Sequence, residues 1–286
     1  MSARITQSQL ESYLWGAATL LRGTIDAGEY KSFIFPLLFL KRLSDVFDEE
    51  YEAALAESGG DDTYAGLPEQ HRFQIPDGCH WSDLRGKSSD VGRGIARAMR
   101  EIERANPRLE GVFGDAPWTN RDRLPDTTLK DLIEHYSRVE LSIGNVPEDE
   151  LGVAYEFLIK KFADDSGHTA AEFYTNRTLV HLMANLLEIE PGDSVYDPTC
   201  GSGGMLLSAA EEVRRQGKEH RTLRLFGQEI NLTTSAIARM NLFLHGIEDF
   251  DVIRGDTLAG PAFTESDRLR TFDVVLANPP YSIKAW

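Results

Sequence analysis

Asn278-Pro279-Pro280-Tyr281 has few uses other than chemistry. An aryl amine is a poor nucleophile, because its lone pair is delocalised into the ring. Two fixed acceptors, the Asn278 side-chain oxygen and the Pro279 carbonyl, can each take an N–H and draw the nitrogen towards a tetrahedral form. Pro279 and Pro280 stiffen the turn, so both acceptors stand ready beforehand. Tyr281 offers a flat face on which a base flipped out of a duplex can stack. A second stretch, Asp197-Pro198-Thr199-Cys200-Gly201-Ser202-Gly203-Gly204-Met205-Leu206, joins a β-like run, Ser194-Val195-Tyr196, to a helical run ending at Gln216. Strand, glycine turn and helix present backbone N–H groups and a helix N-terminus to a ligand. Gly201, Gly203 and Gly204 permit positive φ and close approach. Such a turn serves many nucleotide-binding folds. The two stretches together point to transfer of a methyl group onto a planar amine, a step that needs no strong general base.

Four polar residues close four strand-like runs: Asp197, Glu229, Asp256 and Asn278. In an open parallel sheet the ligand sits beyond the carboxyl ends of the strands. Glu229 is placed to accept two ribose hydroxyls, which suits a nicotinamide cofactor as well as S-adenosylmethionine, and Asp256 can accept from an exocyclic adenine amine. Each alone reads as an ordinary cap or turn residue; their recurrence, with the glycines between, is a constellation. A dehydrogenase has no use for Asn-Pro-Pro-Tyr. Cys200 reads as the small residue a tight turn wants, since no His adjoins it to activate a thiolate.

The elements that must hold these residues fall into two regimes. Apolar spacing predicts helices over Gln7 to Arg22, Glu29 to Glu57 with a kink near Pro36, Val91 to Asn106, and Asp126 to Val139 capped by Asp126 or Thr127. Thr63 to Gly86 reads as loops with a short strand, and Leu109 to Asn120 as irregular. From Pro147 onwards the pattern changes. Helices are expected over Glu148 to Phe162, Thr178 to Leu187 and Leu232 to Leu244, with Gly246 as the C′ residue of the last. Strands are expected over Leu223 to Gly227, Asp251 to Arg254 and Phe272 to Ala277, after the one at Ser194. Strands alternating with helices imply a parallel sheet covered on both faces. The division is placed at 145/146: a helical domain over 1–145, and an α/β, Rossmann-like domain over 146–286.

The chain has 286 residues, 41% of them apolar and 27% charged, the balance of a water-soluble fold. No stretch reaches the roughly 18 consecutive apolar residues of a membrane span. The N-terminus lacks a signal-peptide pattern, so the cytoplasm is the expected compartment. Two distant cysteines, Cys79 and Cys200, give no disulfide or metal framework. A net charge of −16 argues against a chain that grips DNA by itself, because phosphate contacts need a basic face.

Asp197 to Met205 resembles the S-adenosylmethionine motif of N6-adenine DNA methyltransferases, and Asn278 to Tyr281 resembles their catalytic motif; this order is that of the gamma class. Leu151-Gly152 with Tyr155-Glu156, and Glu172-Phe173-Tyr174-Thr175, are similar to the methylation subunit of type I restriction-modification systems. So is the start, where Leu14-Trp15 precedes Phe35-Pro36-Leu37-Leu38-Phe39-Leu40-Lys41-Arg42. The resemblance implies an S-adenosylmethionine-dependent Rossmann-like sheet behind a helical domain. It implies cofactor contacts from Glu172, Phe173, Tyr174, Thr175, Asn176 and Arg177, from the turn at Asp197, Thr199, Gly201, Ser202, Gly203 and Gly204, and from Glu229 and Asp256. Asn278, Pro279, Pro280 and Tyr281 would meet the target adenine. It also implies two methylation subunits joined to a DNA-reading specificity subunit and a restriction subunit, so recognition lies outside this chain.

Two departures bear on this. Asn176 stands where the family usually has Pro, and the family continues well beyond its catalytic motif, so a fragment is expected: one that binds cofactor weakly, does not methylate DNA alone, and leaves Val274-Val275-Leu276 as an apolar sheet edge. The rival readings are a non-catalytic assembly module and a methyltransferase for protein glutamine. The enzymatic reading requires the glycine turn and Asn278 to open onto one shared cleft.

Overall fold

The computed structural model describes residues 5–165 and 177–279. The chain forms two compact units, Met1–Ala154 and Tyr155–Trp286. The change of unit thus falls inside a helix, Glu148–Asp165, a few residues after the break in sequence pattern.

The first unit is helical. Helix α1, Gln7–Leu21, starts at a capping box in which Thr6 and Gln9 bond reciprocally. Helix α2, Tyr30–Glu57, continues unbroken through Pro36. A proline forfeits one backbone bond and costs about 3 kcal/mol. Phe33, Ile34, Phe35, Leu37, Leu38 and Leu40 are all buried around it, each contributing about 1.5–3 kcal/mol, and burial wins. Gly59 and Gly60, at φ 71° and 99°, end the helix, and the Gly60 N–H returns to the Leu55 carbonyl at 2.8 Å. The region from 63 to 86 holds two short helices, α3 (Asp62–Ala65) and α4 (Trp81–Arg85), where a strand was expected; both are too brief for an apolar period to register. Helix α5 is Val91–Ala105, α6 is Asp126–Tyr136 and α7 is Glu148–Asp165. The expected cap at Asp126 is not what forms. Pro125 occupies that position without a side-chain bond, and the Asp126 carboxylate instead accepts the N–H groups of Asp90 and Val91, at 2.8 and 3.0 Å, so it caps α5. Gly92 lies so close to the Trp118 carbonyl that a Cβ there would sit 1.9 Å from its oxygen.

Charged side chains of α2, with Arg42 and Asp45 buried and Glu49 half-buried, are spent on one connecting segment. Asp45 accepts the Leu141 N–H at 2.6 Å and a bond from Lys41. Arg42 donates to the carbonyls of Leu141 and Val146. Glu49 accepts the N–H groups of Ile143 and Gly144, both at 2.8 Å. Residues 141–146 have no regular structure, and α2 supplies the partners their backbone needs.

The second unit is a parallel sheet of four strands in the order β3-β2-β1-β6. These are β1 (Ser194–Asp197), β2 (Arg224–Glu229), β3 (Phe250–Arg254) and β6 (Val274–Val275). Helices α8 (Arg177–Leu186), α9 (Gly204–Arg215) and α10 (Leu232–Leu244) accompany them, and Gly246 takes φ 71° after α10 as expected. One sheet face, with Val195 and Leu225, joins Val180, Leu206, Ala209 and Leu242 in a single core. Alternation places Tyr196 and Phe226 on the other face. The connection from β3 to β6 contains a hairpin, β4 (Thr264–Glu265) with β5 (Arg268–Leu269). Its Phe263 and Phe272 pack on Tyr196 and Phe226, with the Arg270 guanidinium 4.2 Å from the Phe226 ring. No helix of the described residues is long and apolar enough to cross a membrane.

Candidate active site at the strand ends

The site is built where β1, β2, β3 and β6 stop. β1 runs into Pro198-Thr199, and a turn with Gly201 at φ 53° and Gly203 at φ 81° leads straight into α9. Both values lie in the region that costs an L side chain energy, so glycine is required at each. Gly203 is the N-cap of α9 and brings no side-chain acceptor, so donors of the first turn remain for a ligand. A Cβ on Gly204 would meet only open space; the glycine leaves that approach clear. These features fit the polar, partly anionic methyl donor that the motif implies.

The polar residues named from the sequence divide by role. Glu229 closes β2, and its two carboxylate oxygens accept the N–H groups of Gly201 at 3.1 Å and Asn231 at 2.8 Å. It therefore ties the glycine turn to the start of α10. Asp197 is 2% exposed and works inside the turn, accepting the Thr199 N–H at 3.0 Å. Burial pushes its carboxyl up to about 7; the Thr199 N–H opposes that rise and the charge of Glu229 adds to it. Asp256 is exposed, and one of its oxygens accepts the N–H groups of Leu258 and Ala259, at 2.9 and 3.1 Å, a turn residue's task. Cys200 lies against Gly227, where an added Cβ would stand 2.9 Å from its sulfur. Burial holds its thiol well above the ordinary value, which suits a packing residue and not a nucleophile.

The strand pairing brings the two diagnostic stretches to one end of the sheet. β6 pairs in parallel with β1, Val274 opposite Val195 and Val275 opposite Tyr196, and the Leu276 N–H donates to the Tyr196 carbonyl at 2.9 Å. Asn278 and Pro279 therefore leave the sheet beside the point where β1 enters the turn, with Asn278 half-buried. Glu172, Phe173, Tyr174, Thr175, Asn176, Pro280 and Tyr281 lie outside the described residues, and Arg177 is the first residue of α8.

Other residues, not expected from the sequence, hold this end together. The Thr257 hydroxyl donates to the Pro198 carbonyl at 2.5 Å. Gln228, fully buried, donates to the Gly260 carbonyl and accepts the Ala262 N–H, both at 3.0 Å. Asn241 of α10 donates to the Ser202 carbonyl at 3.0 Å. At the opposite end of the sheet, Asp273 accepts both the N–H and the hydroxyl of Ser194, at 2.8 and 2.6 Å, and anchors the start of β1. A polar residue inside an apolar helix run, as Asn241 is among Ile237 to Leu244, was the available signal.

Comparison with known proteins follows the same division. A profile described as N-6 DNA Methylase matches residues 146–286, and one described as HsdM N-terminal domain matches residues 10–136. The type I restriction enzyme MjaIX methylase subunit of Methanocaldococcus jannaschii is 28% identical, over 97% of this chain and 52% of its own length. The MpnII methylase subunit of Mycoplasma pneumoniae is also 28% identical, over 96% of this chain and 58% of its own. In crystal structures, the type I restriction-modification system methyltransferase subunit of Streptococcus thermophilus matches with a TM-score of 0.78 and 27% identity, over 97% of this chain and 64% of that one. The chain spans about half the length of the curated relatives it matches.

Proposed function

The chain belongs to the methylase-subunit family of type I restriction-modification systems, and we propose that it carries the S-adenosylmethionine-binding and adenine-gripping parts of a site-specific DNA N6-adenine methyltransferase. The observation that carries this reading is the pairing of β6 with β1, which sets Asn278 and the glycine turn past the ends of neighbouring strands. Bound S-adenosylmethionine supplies an electrophilic methyl group. The protein's part is to hold both partners: the N-terminus of α9, Ser202 to Gly204 and Glu229 would hold the cofactor, and Glu172 to Arg177 are assigned to it from their motif. On the base, the Asn278 side-chain oxygen and the Pro279 carbonyl would accept hydrogen bonds from the two amine N–H groups, and Tyr281 would stack on the ring after Pro280. Methyl transfer would leave the donor sulfur as a neutral thioether and the nitrogen positive; the two preorganised acceptors would stabilise that charge until one N–H proton passes to solvent, without a formal base.

DNA reading is assigned to a separate specificity subunit, with a second methylation subunit and a restriction subunit completing the assembly. The charge of −16 fits that division, and a domain boundary near 145/146 fits the two matched ranges. The match of residues 10–136 to an HsdM domain favours DNA over protein glutamine as the substrate. The test is methyl transfer to adenine-containing duplex with a specificity subunit present. Asn278→Ala should reduce the rate by about 10³-fold or more, the loss of a preorganised acceptor at the reacting atom, while S-adenosylmethionine affinity stays within about twofold. Equal loss of both would place Asn278 in the cofactor site and sink the assignment.

A further inference from the structure

Asn241 has no exposed surface and stands on α10, under the glycine turn. Its side-chain N–H donates to the Ser202 carbonyl at 3.0 Å, while its side-chain oxygen is enclosed without a donor. One helical turn earlier Ala238 supports the same turn, its Cβ 3.5 Å from where a Cβ on Gly203 would lie. The turn's other fixed bonds are local or run to β2: Gly203 N–H to the Cys200 carbonyl, Cys200 N–H to Gln228, Gly201 N–H to Glu229. The Asn241 bond fixes the Ser202 carbonyl of this turn to α10. A Leu would fill this volume without leaving an amide oxygen unpaired, so packing does not account for the residue; a directed donor does.

We infer that Asn241 is the positioning residue of the cofactor turn: its amide holds the Ser202 carbonyl inward, so that the N–H groups at the start of α9 face outward before the ligand arrives. The inference rests on the turn being a cofactor site.

Calorimetric titration of the whole chain with S-adenosylmethionine tests it, comparing the parent with Asn241→Leu and Asn241→Asp, each checked for folding by its thermal melt. Both substitutions should weaken binding by about tenfold, since each removes the donor. In Asn241→Asp the introduced carboxyl regains a donor once protonated, so its ratio to the parent should shrink as pH is lowered from about 8 to about 5.5, whereas the Leu ratio should not. Asp197, Glu229 and Cys200 beside the turn, and His245, whose ring nitrogen bonds the Asn241 carbonyl at 2.8 Å, are common to all three proteins, and the Asn241→Leu ratio over the same pH range reports their own titration. Equal affinities, or a deficit in Asn241→Asp that pH does not relieve, overturn the inference. Should Asn241→Asp fail to fold, parental affinity in Asn241→Leu overturns it alone. No heat from the parent chain would instead overturn the cofactor reading on which it stands.

Discussion

The polar residues of α2 and those at the strand ends look alike in sequence but do opposite work. Asp45, Arg42 and Glu49 spend their bonding on residues 141–146, and the segment they hold is complete in itself. At the strand ends the bonding goes to loops beside an uncapped helix start. Glu229, Asn241 and Gln228 fix the loops, while Gly203 offers α9 no cap and Gly204 keeps the approach open. A polar side chain marks a site only when its surroundings leave backbone groups unspent.

Three measurements bear on that contrast. The largest effect is expected in the helical unit: Asp45→Ala leaves Lys41 buried without its carboxylate and should cost about 3–5 kcal/mol of stability, read by denaturant unfolding; a loss under about 1 kcal/mol would show the α2 charges to be dispensable. At the strand ends, Glu229→Ala should weaken S-adenosylmethionine binding at least tenfold, about 1.4 kcal/mol, with a much smaller change in melting temperature. If the melt falls and affinity holds, Glu229 is structural and the contrast collapses.

The third measurement is of pH dependence. Burial lowers the pKa of His135 in the helical unit, and its bond to the Tyr13 carbonyl opposes that shift. The unfolded chain then binds more protons, so stability falls as pH drops below the ordinary imidazole value of about 6.5. Asp197 has the reverse sign: raised to about 7, its carboxyl keeps a proton that the unfolded chain releases, so stability falls as pH rises from about 4 towards 7. Scanning calorimetry across this range should show His135→Gln flattening one slope and Asp197→Asn the other. The same sign for both would contradict the assignment.

Much of this was legible in the residues. The helix over Leu232–Leu244 matches residue for residue, because Asn231 caps it and Gly246 ends the chain's right-handed path. The expectation of an apolar edge is met in part: β6 borders the sheet and Val275 is 54% exposed, but Val274 and Leu276 are buried. The strand expected over Phe272 to Ala277 pairs only at Val274–Val275. Phe272 leaves it to stack on Tyr196 at 4.6 Å, and Asp273 turns to Ser194. The hairpin between β3 and β6 was not foreseen, since Thr264 to Leu269 shows no alternation of apolar residues and its turn, Ser266-Asp267, lacks the glycine that usually marks positive φ. Tertiary contacts, invisible to local pattern, decided each of these.

The two halves of the proposed chemistry hang from supports of very different strength. The cofactor turn grows out of β1, which is paired on both sides. Asn278 follows a border strand with two ladder positions, reached by a helix-free connection that a cluster of aromatic rings and one guanidinium fasten down. Fraying starts where the ladder is shortest, so the grip on the base would loosen while the grip on the donor persists. Warming should therefore free the strand that carries Asn278 before it disturbs the one that carries the glycine turn.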